Sequence, residues 1–467
     1  MGKKTGLSIL VLVISACALL SIGLIVGGVF LLKAQKNYTP PTPVTVVATP
    51  QIDPQIDPLI TAVPNEIPAD ISRQMDEIEQ QVSPIRGLDL LDTLDRNLMT
   101  PDELREKVVN DFFADYTDED ARQDVLVLSV LGLMDAGFNL KQFYHDLYSE
   151  QIAGFYDSET KEMYVIVNDG FGGMERITYA HEFNHALQDQ NYDLENGLML
   201  NDEKCEIDTE YCAAVSALVE GDATSLEYAW FYEHGTKQDY EDITNFQNSY
   251  ESPIYDSAPA FMQEDFLFPY SYGYDFVQVL INKDGWTAVD AAFANPPVST
   301  EQILHPERYP DDKPIPVELP DLTPDLDGGW QEIERNVMGE WYTYLILAKG
   351  RTEGFMMDED KSRAAAEGWG GDTYAFYTTP DLSQYLIAWH STWDSQQDAL
   401  EFFDLSHDYG LARWGIPTQK SNGVVVWDSE VDGRITMRLS GADVLWLIGS
   451  SEPLVKEALV DIGSFGK

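Results

Sequence analysis

Basic residues are scarce in this chain. Its 467 residues include 29 lysines and arginines against 80 aspartates and glutamates, so the formal net charge is −51. Proteins that bind a nucleic-acid backbone neutralise its phosphates with lysine and arginine, and this balance therefore argues against nucleic acid as a partner. The excess of carboxylates also keeps the surface soluble through mutual repulsion and collects cations near it.

Histidine is infrequent too, with seven in the chain, yet two histidines lie four residues apart in the segment His181–His185. At this spacing two side chains lie one turn apart on the same helix face, where paired imidazoles can hold one zinc ion. Glu182, beside the first histidine, can reach a water on that metal. The pattern predicts metal-assisted hydrolysis, most often of peptide bonds, with one Zn²⁺ per chain.

Lysine and arginine are absent from Ile177 to Asn191, around this motif. That absence favours a buried helix over the alternative, a surface helix with two incidental histidines. One class of zinc peptidases has a glycine three residues past the second histidine and a third histidine three residues beyond it. Here Gln188 and Asn191 occupy those positions, which excludes that class.

A catalytic zinc needs a third protein ligand, and Glu220 is the best candidate. It lies in an otherwise apolar segment that is predicted as a helix over 209–232. A carboxylate buried there without a partner would be costly, which favours a metal-bound role. The alternative is an exposed glutamate on the polar stripe of the same helix.

A helix with this motif, followed 35 residues after His185 by a helical glutamate, resembles the gluzincin class of zinc metallopeptidases. The resemblance covers about residues 150–310. It implies that His181, His185 and Glu220 bind zinc, and that Glu182 is the general base that passes a proton from water to the leaving amine. The wider chain is also similar to a bacterial group of membrane-anchored gluzincin-like proteins, in the segments 153–157, 220–223 and 299–302 and in the pair His305-Pro306.

In one respect the chain departs from the gluzincin pattern. Many members have an aspartate one turn beyond the ligand glutamate, where it orients a zinc histidine, and this position here holds Thr224. Metal-bound histidines usually donate their second N–H to a carboxylate or a carbonyl. Asp222, Glu227 and a backbone carbonyl all remain candidates for that role.

The proposed reaction also needs a donor that stabilises the oxyanion. His305 is the predicted donor, and Tyr270, Tyr272 and Tyr274 are the alternatives, although tyrosines in such a cluster can also be core aromatics. Residues 152–168 are predicted as a β-hairpin around a turn at 157–161. The resemblance implies that an edge strand in this region pairs with an extended substrate.

These features predict an α+β protein. Its core would be a mostly helical zincin-like metallopeptidase domain with a small antiparallel sheet, followed by a C-terminal α+β domain. The predicted divisions are a transmembrane anchor at 1–36, a proline-rich linker at 37–70, the metallopeptidase domain at 71–310 with a helical lead-in at 71–150, and the C-terminal domain at 330–467. Within the last domain, 330–349 is predicted as a helix, and strands are predicted at 372–377, 385–391, 423–427 and 434–439.

Charge is absent from Leu7 to Leu32, a run of 26 residues that is long enough to span a bilayer. The run predicts an uncleaved, single-pass anchor in the cell membrane with the catalytic body outside the cytoplasm. Cleavage before Cys17, as in a lipoprotein, is the alternative, but the apolar run continues well beyond that residue.

Cysteine is nearly absent, with three in the chain. Cys205 and Cys212 are close enough in sequence to form a disulfide, which an oxidising compartment would allow, and two free thiols are the alternative.

The leading interpretation is a membrane-anchored, extracytoplasmic zinc peptidase that acts on peptide or protein substrates. Its rival is a surface binding or scaffold protein on a peptidase-like fold, with a structural zinc or none. A decayed enzyme commonly loses the glutamate base, and the presence of Glu182 favours activity. Amide hydrolysis outside proteins, for instance in cell-wall peptides, is a third possibility.

Overall fold

The computed structural model describes residues 67–463 and 465, except 108–109, 111–112, 114–115, 168–169, 324–325 and 327–328. The predicted α+β class is confirmed. Helices and a small three-stranded sheet form the first part, and a large antiparallel sheet dominates the last part.

The α-helices of the described residues are α1 Ala69–Arg86, α2 Pro101–Lys107, α3 Asp118–Leu131, α4 Leu140–Gln151, α5 Gly173–Tyr192, α6 Asp202–Cys205, α7 Thr209–His234, α8 Lys237–Ser249, α9 Pro253–Asp256, α10 Ala260–Asp284, α11 Trp286–Ala294, α12 Thr300–Leu304, α13 Gly339–Ala348, α14 Glu359–Ala366, α15 Gln396–Trp414 and α16 Glu452–Asp461. The strands are β1 Asp95–Met99, β2 Gly154–Asp157, β3 Glu162–Ile166, β4 Gln331–Asn336, β5 Trp369–Thr378, β6 Tyr385–Trp393, β7 Gln419–Ser421, β8 Val424–Ser429, β9 Gly433–Ser440 and β10 Asp443–Gly449.

The small sheet has the order β1-β3-β2. Strands β2 and β3 form the predicted antiparallel hairpin, whereas β1 joins it in parallel and makes the sheet mixed. Strand β2 is therefore an edge, and its residues Gly154 and Tyr156 lie against helix α5. The sheet thus positions one strand edge beside the helix that carries the histidine motif.

The large sheet has the order β4-β5-β6-β10-β9-β8-β7, with every neighbouring pair antiparallel. Helix α15 packs on it and also reaches the first part of the chain. Arg413 donates to the carbonyl of Val130, and Tyr409 donates to the carbonyl of Leu131, at the end of α3. One hydrophobic cluster accordingly contains buried side chains from both parts. The predicted division into domains at 71–310 and 330–467 stays a prediction.

The predicted membrane anchor is corrected by the structure. Its segment, Leu7–Leu32, lies outside the described residues, and no helix that the structure does describe is long and apolar enough to cross a membrane. The longest, α7, contains five acidic residues. The prediction of a single-pass cell-membrane protein is therefore wrong for the described chain.

Cys205 and Cys212 form a disulfide, which excludes the free-thiol alternative in this structure. The bridge connects the end of α6 to the first turn of α7. It therefore ties the loop before α7 to the helix that contains Glu220.

Two glycines allow α7 and α10 to cross in direct backbone contact. A Cβ on Gly221 would lie 2.1 Å from the carbonyl oxygen of Gly273, and a Cβ on Gly273 would lie 2.1 Å from that of Ala217. Since neither contact could be relieved by a side-chain rotation, the close approach requires glycine at both positions. The crossing lies next to Glu220 and so sets the position of the third predicted ligand.

We expect Gly221→Ala to lower the free energy of unfolding by about 1–3 kcal/mol, because the added methyl group forces two packed helices apart. Urea denaturation of parent and variant measures this loss. Gly354→Ala is the matched control, since a Cβ at Gly354 would meet nothing within 4 Å. Equal stability of the two variants would contradict the role of the glycine contact.

Candidate metal centre

The histidine motif lies in the buried middle of α5, as the absence of basic residues indicated. Every residue from Ile177 to Asp189 is buried. His181 and His185 lie one turn apart, with ring centroids 4.8 Å from each other. Helix α7 packs against this face of α5 and carries Glu220 to the same point.

The structure brings together the three predicted ligands. Glu220 Oε2 lies 3.2 Å from His181 Nε2 and 3.5 Å from His185 Nε2. Ligand atoms about 2.0–2.2 Å from a tetrahedral zinc are separated by roughly 3.4 Å, so these distances suit a shared cation. The three residues form one of the groups in the described chain that could hold a metal.

Two atoms at this point lack a hydrogen bond among the described residues. His185 Nε2 and Glu220 Oε1 are buried and accept or donate no hydrogen bond within the described structure. Buried polar atoms are almost always paired, because their desolvation is costly otherwise. A bound cation would satisfy both atoms, and the donor set of two imidazoles and a carboxylate is typical of zinc.

The charges of the cluster favour an ionised carboxylate. Burial alone would raise the pKa of Glu220, but the facing His185 and His181 outweigh it and lower the pKa to about 2. In return, Glu220 raises the pKa of His185 despite the opposing effect of burial. The glutamate is thus available as an anionic ligand at neutral pH.

Glu182 is held by one of its two oxygens. The backbone N–H of Tyr156, in edge strand β2, donates to Oε2 over 3.0 Å. Oε1 is buried and lacks a partner in the described part of the chain. Burial is the main reason that the pKa of Glu182 is raised above its usual value. The carboxyl group is therefore fixed beside the imidazoles with one oxygen available for a proton.

Glu227 orients the first histidine, which resolves one alternative that the sequence left open. Its Oε2 lies 2.9 Å from His181 Nδ1, so that Nε2 of the same ring faces Glu220. Glu227 follows Glu220 by seven residues, or two turns, and therefore lies on the same face of α7. Thr224, in the place of the usual aspartate, is buried without a hydrogen bond to its hydroxyl among the described groups.

Gln188 orients the second histidine and was missed by the sequence reasoning, which used this position only to exclude a peptidase class. Its Oε1 lies 2.8 Å from His185 Nδ1. Its Nε2 donates to the Val219 carbonyl and to Asp222 Oδ2. The spacing of three residues from His185 was the available signal, because such residues are neighbours on a helix.

His305 belongs to a different cluster. Its Nε2 lies 2.9 Å from Glu340 Oε1, and Nδ1 faces Glu307 at 4.0 Å. None of its described polar partners belongs to the histidine motif or to α7. Its role as oxyanion donor stays a prediction that no contact in the structure supports.

Of the three alternative tyrosines, Tyr270 lies beside the motif. Its ring centroid is 6.5 Å from that of His181. Tyr272 packs on Trp341 instead, and Tyr274 packs on Tyr228.

A second group of carboxylates could be mistaken for a metal site. Glu301, Asp312 and Asp394 lie within reach of one cation. However, Arg308 already pairs with Glu301 and lies 3.3 Å from Asp394 and 3.9 Å from Asp312. Its guanidinium supplies the positive charge, so the group is an ion-pair network.

Comparison with known proteins adds one partial match. Residues 327–459 are similar to a family described as a domain of unknown function, DUF8575. No curated protein and no solved structure matches the chain. The matched region covers the large sheet and excludes the histidine motif.

Proposed function

We propose that the protein is a zinc-dependent peptidase of the zincin type. The observation that carries this proposal is the convergence of His181, His185 and Glu220, from two packed helices, beside the fixed carboxyl group of Glu182. Three protein ligands leave the fourth position of a tetrahedral zinc for water or substrate, as in catalytic sites.

A zinc ion held there would supply a Lewis acid and would lower the pKa of bound water to about 7. Glu182 then provides the proton transfer. Its hydrogen bond from Tyr156 leaves one oxygen available to take a proton from water and to deliver it to the leaving amine. General acid–base help of this kind contributes about 10²–10⁴-fold to the rate.

The edge strand supports a peptide as the substrate. Strand β2 pairs with β3 on one side only, and its Tyr156 contacts Glu182 directly. An extended peptide can add to such an edge through its main chain, which would bring its carbonyl groups close to the proposed base. Tyr270, beside His181, is the tyrosine whose placement fits a donor to the oxyanion.

One observation favours the rival, a binding or scaffold protein with a structural metal. His181, Glu182, His185 and Glu220 are each 5% exposed or less. Structural zinc sites are closed, whereas catalytic sites must admit water and substrate. Activity therefore has to be tested separately from metal binding.

The deciding experiment measures zinc per chain and hydrolysis of a quenched casein by the full-length protein. We expect close to one zinc per chain, and activity that a chelator abolishes and added zinc restores. His185→Ala should lose both, while His234→Ala, at the half-exposed end of α7, should keep both. Zinc without hydrolysis would favour the structural rival, and a parent without zinc would contradict the proposal.

A further inference from the structure

Arg86 is a buried cation that the proposed reaction does not use. It is the last residue of α1, in the predicted lead-in, and its side chain is 0% exposed. Its Nε donates to Asp222 Oδ1 and its Nη1 donates to Asp290 Oδ1, both over 2.7 Å. The ring of Trp286 stacks 4.9 Å from the guanidinium carbon. These contacts fix the arginine in one orientation.

Asp222 connects this arginine to the metal centre. It is fully buried on α7, two residues after Glu220. While Oδ1 accepts from Arg86, Oδ2 accepts from Asn184 over 3.1 Å and from Gln188 over 2.7 Å. Three donors to its two oxygens hold this buried carboxyl group in one orientation.

The orientation of the Gln188 amide then follows from its surroundings. Its NH₂ group faces two acceptors, Asp222 Oδ2 and the Val219 carbonyl, so a flipped amide would place oxygen against oxygen. Its carbonyl oxygen must therefore face His185 Nδ1, which donates the hydrogen. Nε2 of His185, which lies on the side of Glu220, is then the ring nitrogen that would bind a metal.

We propose that Arg86 is a positioning residue of the metal centre, acting on His185 through Asp222 and Gln188. This inference rests on the proposed function, since it concerns the same metal site. It makes α1, which carries Arg86, part of the structure that supports the metal centre. Arg86, on α1, holds Asp222 in place, Asp222 orients Gln188, and Gln188 orients the ring of His185.

A double-mutant cycle of zinc affinity tests this inference, with the full-length protein and a chromophoric chelator as competitor. Arg86→Met and Gln188→Met should each weaken zinc binding about 10–100-fold, as the loss of a group that orients a ligand typically does. Both changes interrupt the same chain of contacts from Arg86 to His185. The double variant should therefore bind zinc no more weakly than whichever single variant has the lower zinc affinity. Unchanged affinity in either single variant, or losses that multiply, would overturn the inference.

Arg413→Met is the matched control, because Arg413 is also buried beside an aspartate but lies on the large sheet side, with Asp432. It should lose stability and keep the parent's zinc affinity.

If Arg86→Met does not fold, Arg86→Lys replaces it, since lysine keeps the charge but cannot hold both aspartates. It should then bind zinc with an affinity between those of the parent and Gln188→Met. If the parent binds zinc and these variants bind it with the same affinity, the inference about Arg86 is refuted and the proposed function is not. If the parent binds no zinc, the proposed function is refuted as well.

Discussion

Glu182→Gln is expected to lower the hydrolysis of a peptide substrate by about 10²–10⁴-fold while the protein keeps its zinc. The amide oxygen of glutamine can still accept from the backbone N–H of Tyr156, so the side chain stays in place. It cannot take a proton from water at neutral pH. Values of kcat/KM for a quenched peptide, measured beside zinc content, separate the loss of the base from a loss of metal.

Glu233→Gln is the control for this variant, because Glu233 lies on α7 like the proposed ligand Glu220 but is exposed. It should keep the parent's turnover. Equal turnover in Glu182→Gln and the parent would show that Glu182 is not the base. Zinc in both proteins with hydrolysis in neither would instead support a structural role for the metal.

The site was predictable where its geometry is local. Two histidines four apart must share a helix face, and Glu182 follows from its place beside the first of them. Glu220 was predicted because a carboxylate in an apolar helix needs a partner. Each of these inferences needed only the helix period and the cost of burial, and the structure places all four residues together.

The supporting residues depend on contacts that the sequence does not display. Arg86 and Asp222 are 136 positions apart, and they meet only because α1 packs on α5 and α7. The periodicity of a helix or strand cannot indicate a contact between residues so far apart in sequence. His305 illustrates the converse, since it was predicted as the oxyanion donor, yet its ring pairs with Glu340 on α13.

The fold shows the same limit at the start of the large sheet. Residues 330–349 were predicted as one helix, but they form strand β4, a short connection and helix α13. Strand β4 exists because it pairs with β5, where Tyr374 donates to Glu334 across the two strands. Such pairing depends on the partner strand more than on intrinsic propensity. The predicted strands at 372–377 and 385–391, which pair centrally, lie within β5 and β6.

Asp222→Ala is expected to destabilise the metal-free protein by about 3 kcal/mol or more. The change removes the buried partner of a buried guanidinium, and the remaining charge is then poorly compensated. It also leaves the NH₂ groups of Asn184 and Gln188 without their shared acceptor. Urea denaturation in the presence of a chelator measures this loss without a contribution from zinc.

Asp290→Ala is the comparison that shows how far the loss of stability depends on the burial of the aspartate. Asp290 also pairs with Arg86 over 2.7 Å, but its side chain is 42% exposed, whereas that of Asp222 is 0% exposed. Water can reach the exposed Asp290 side of this pair and take the place of the lost carboxylate, so this variant should lose about 1 kcal/mol or less. Equal losses in the two variants would mean that Arg86 is held equally by both aspartates. A larger loss for Asp222→Ala would mean that the Arg86 charge depends most on its buried partner, whose place water cannot take.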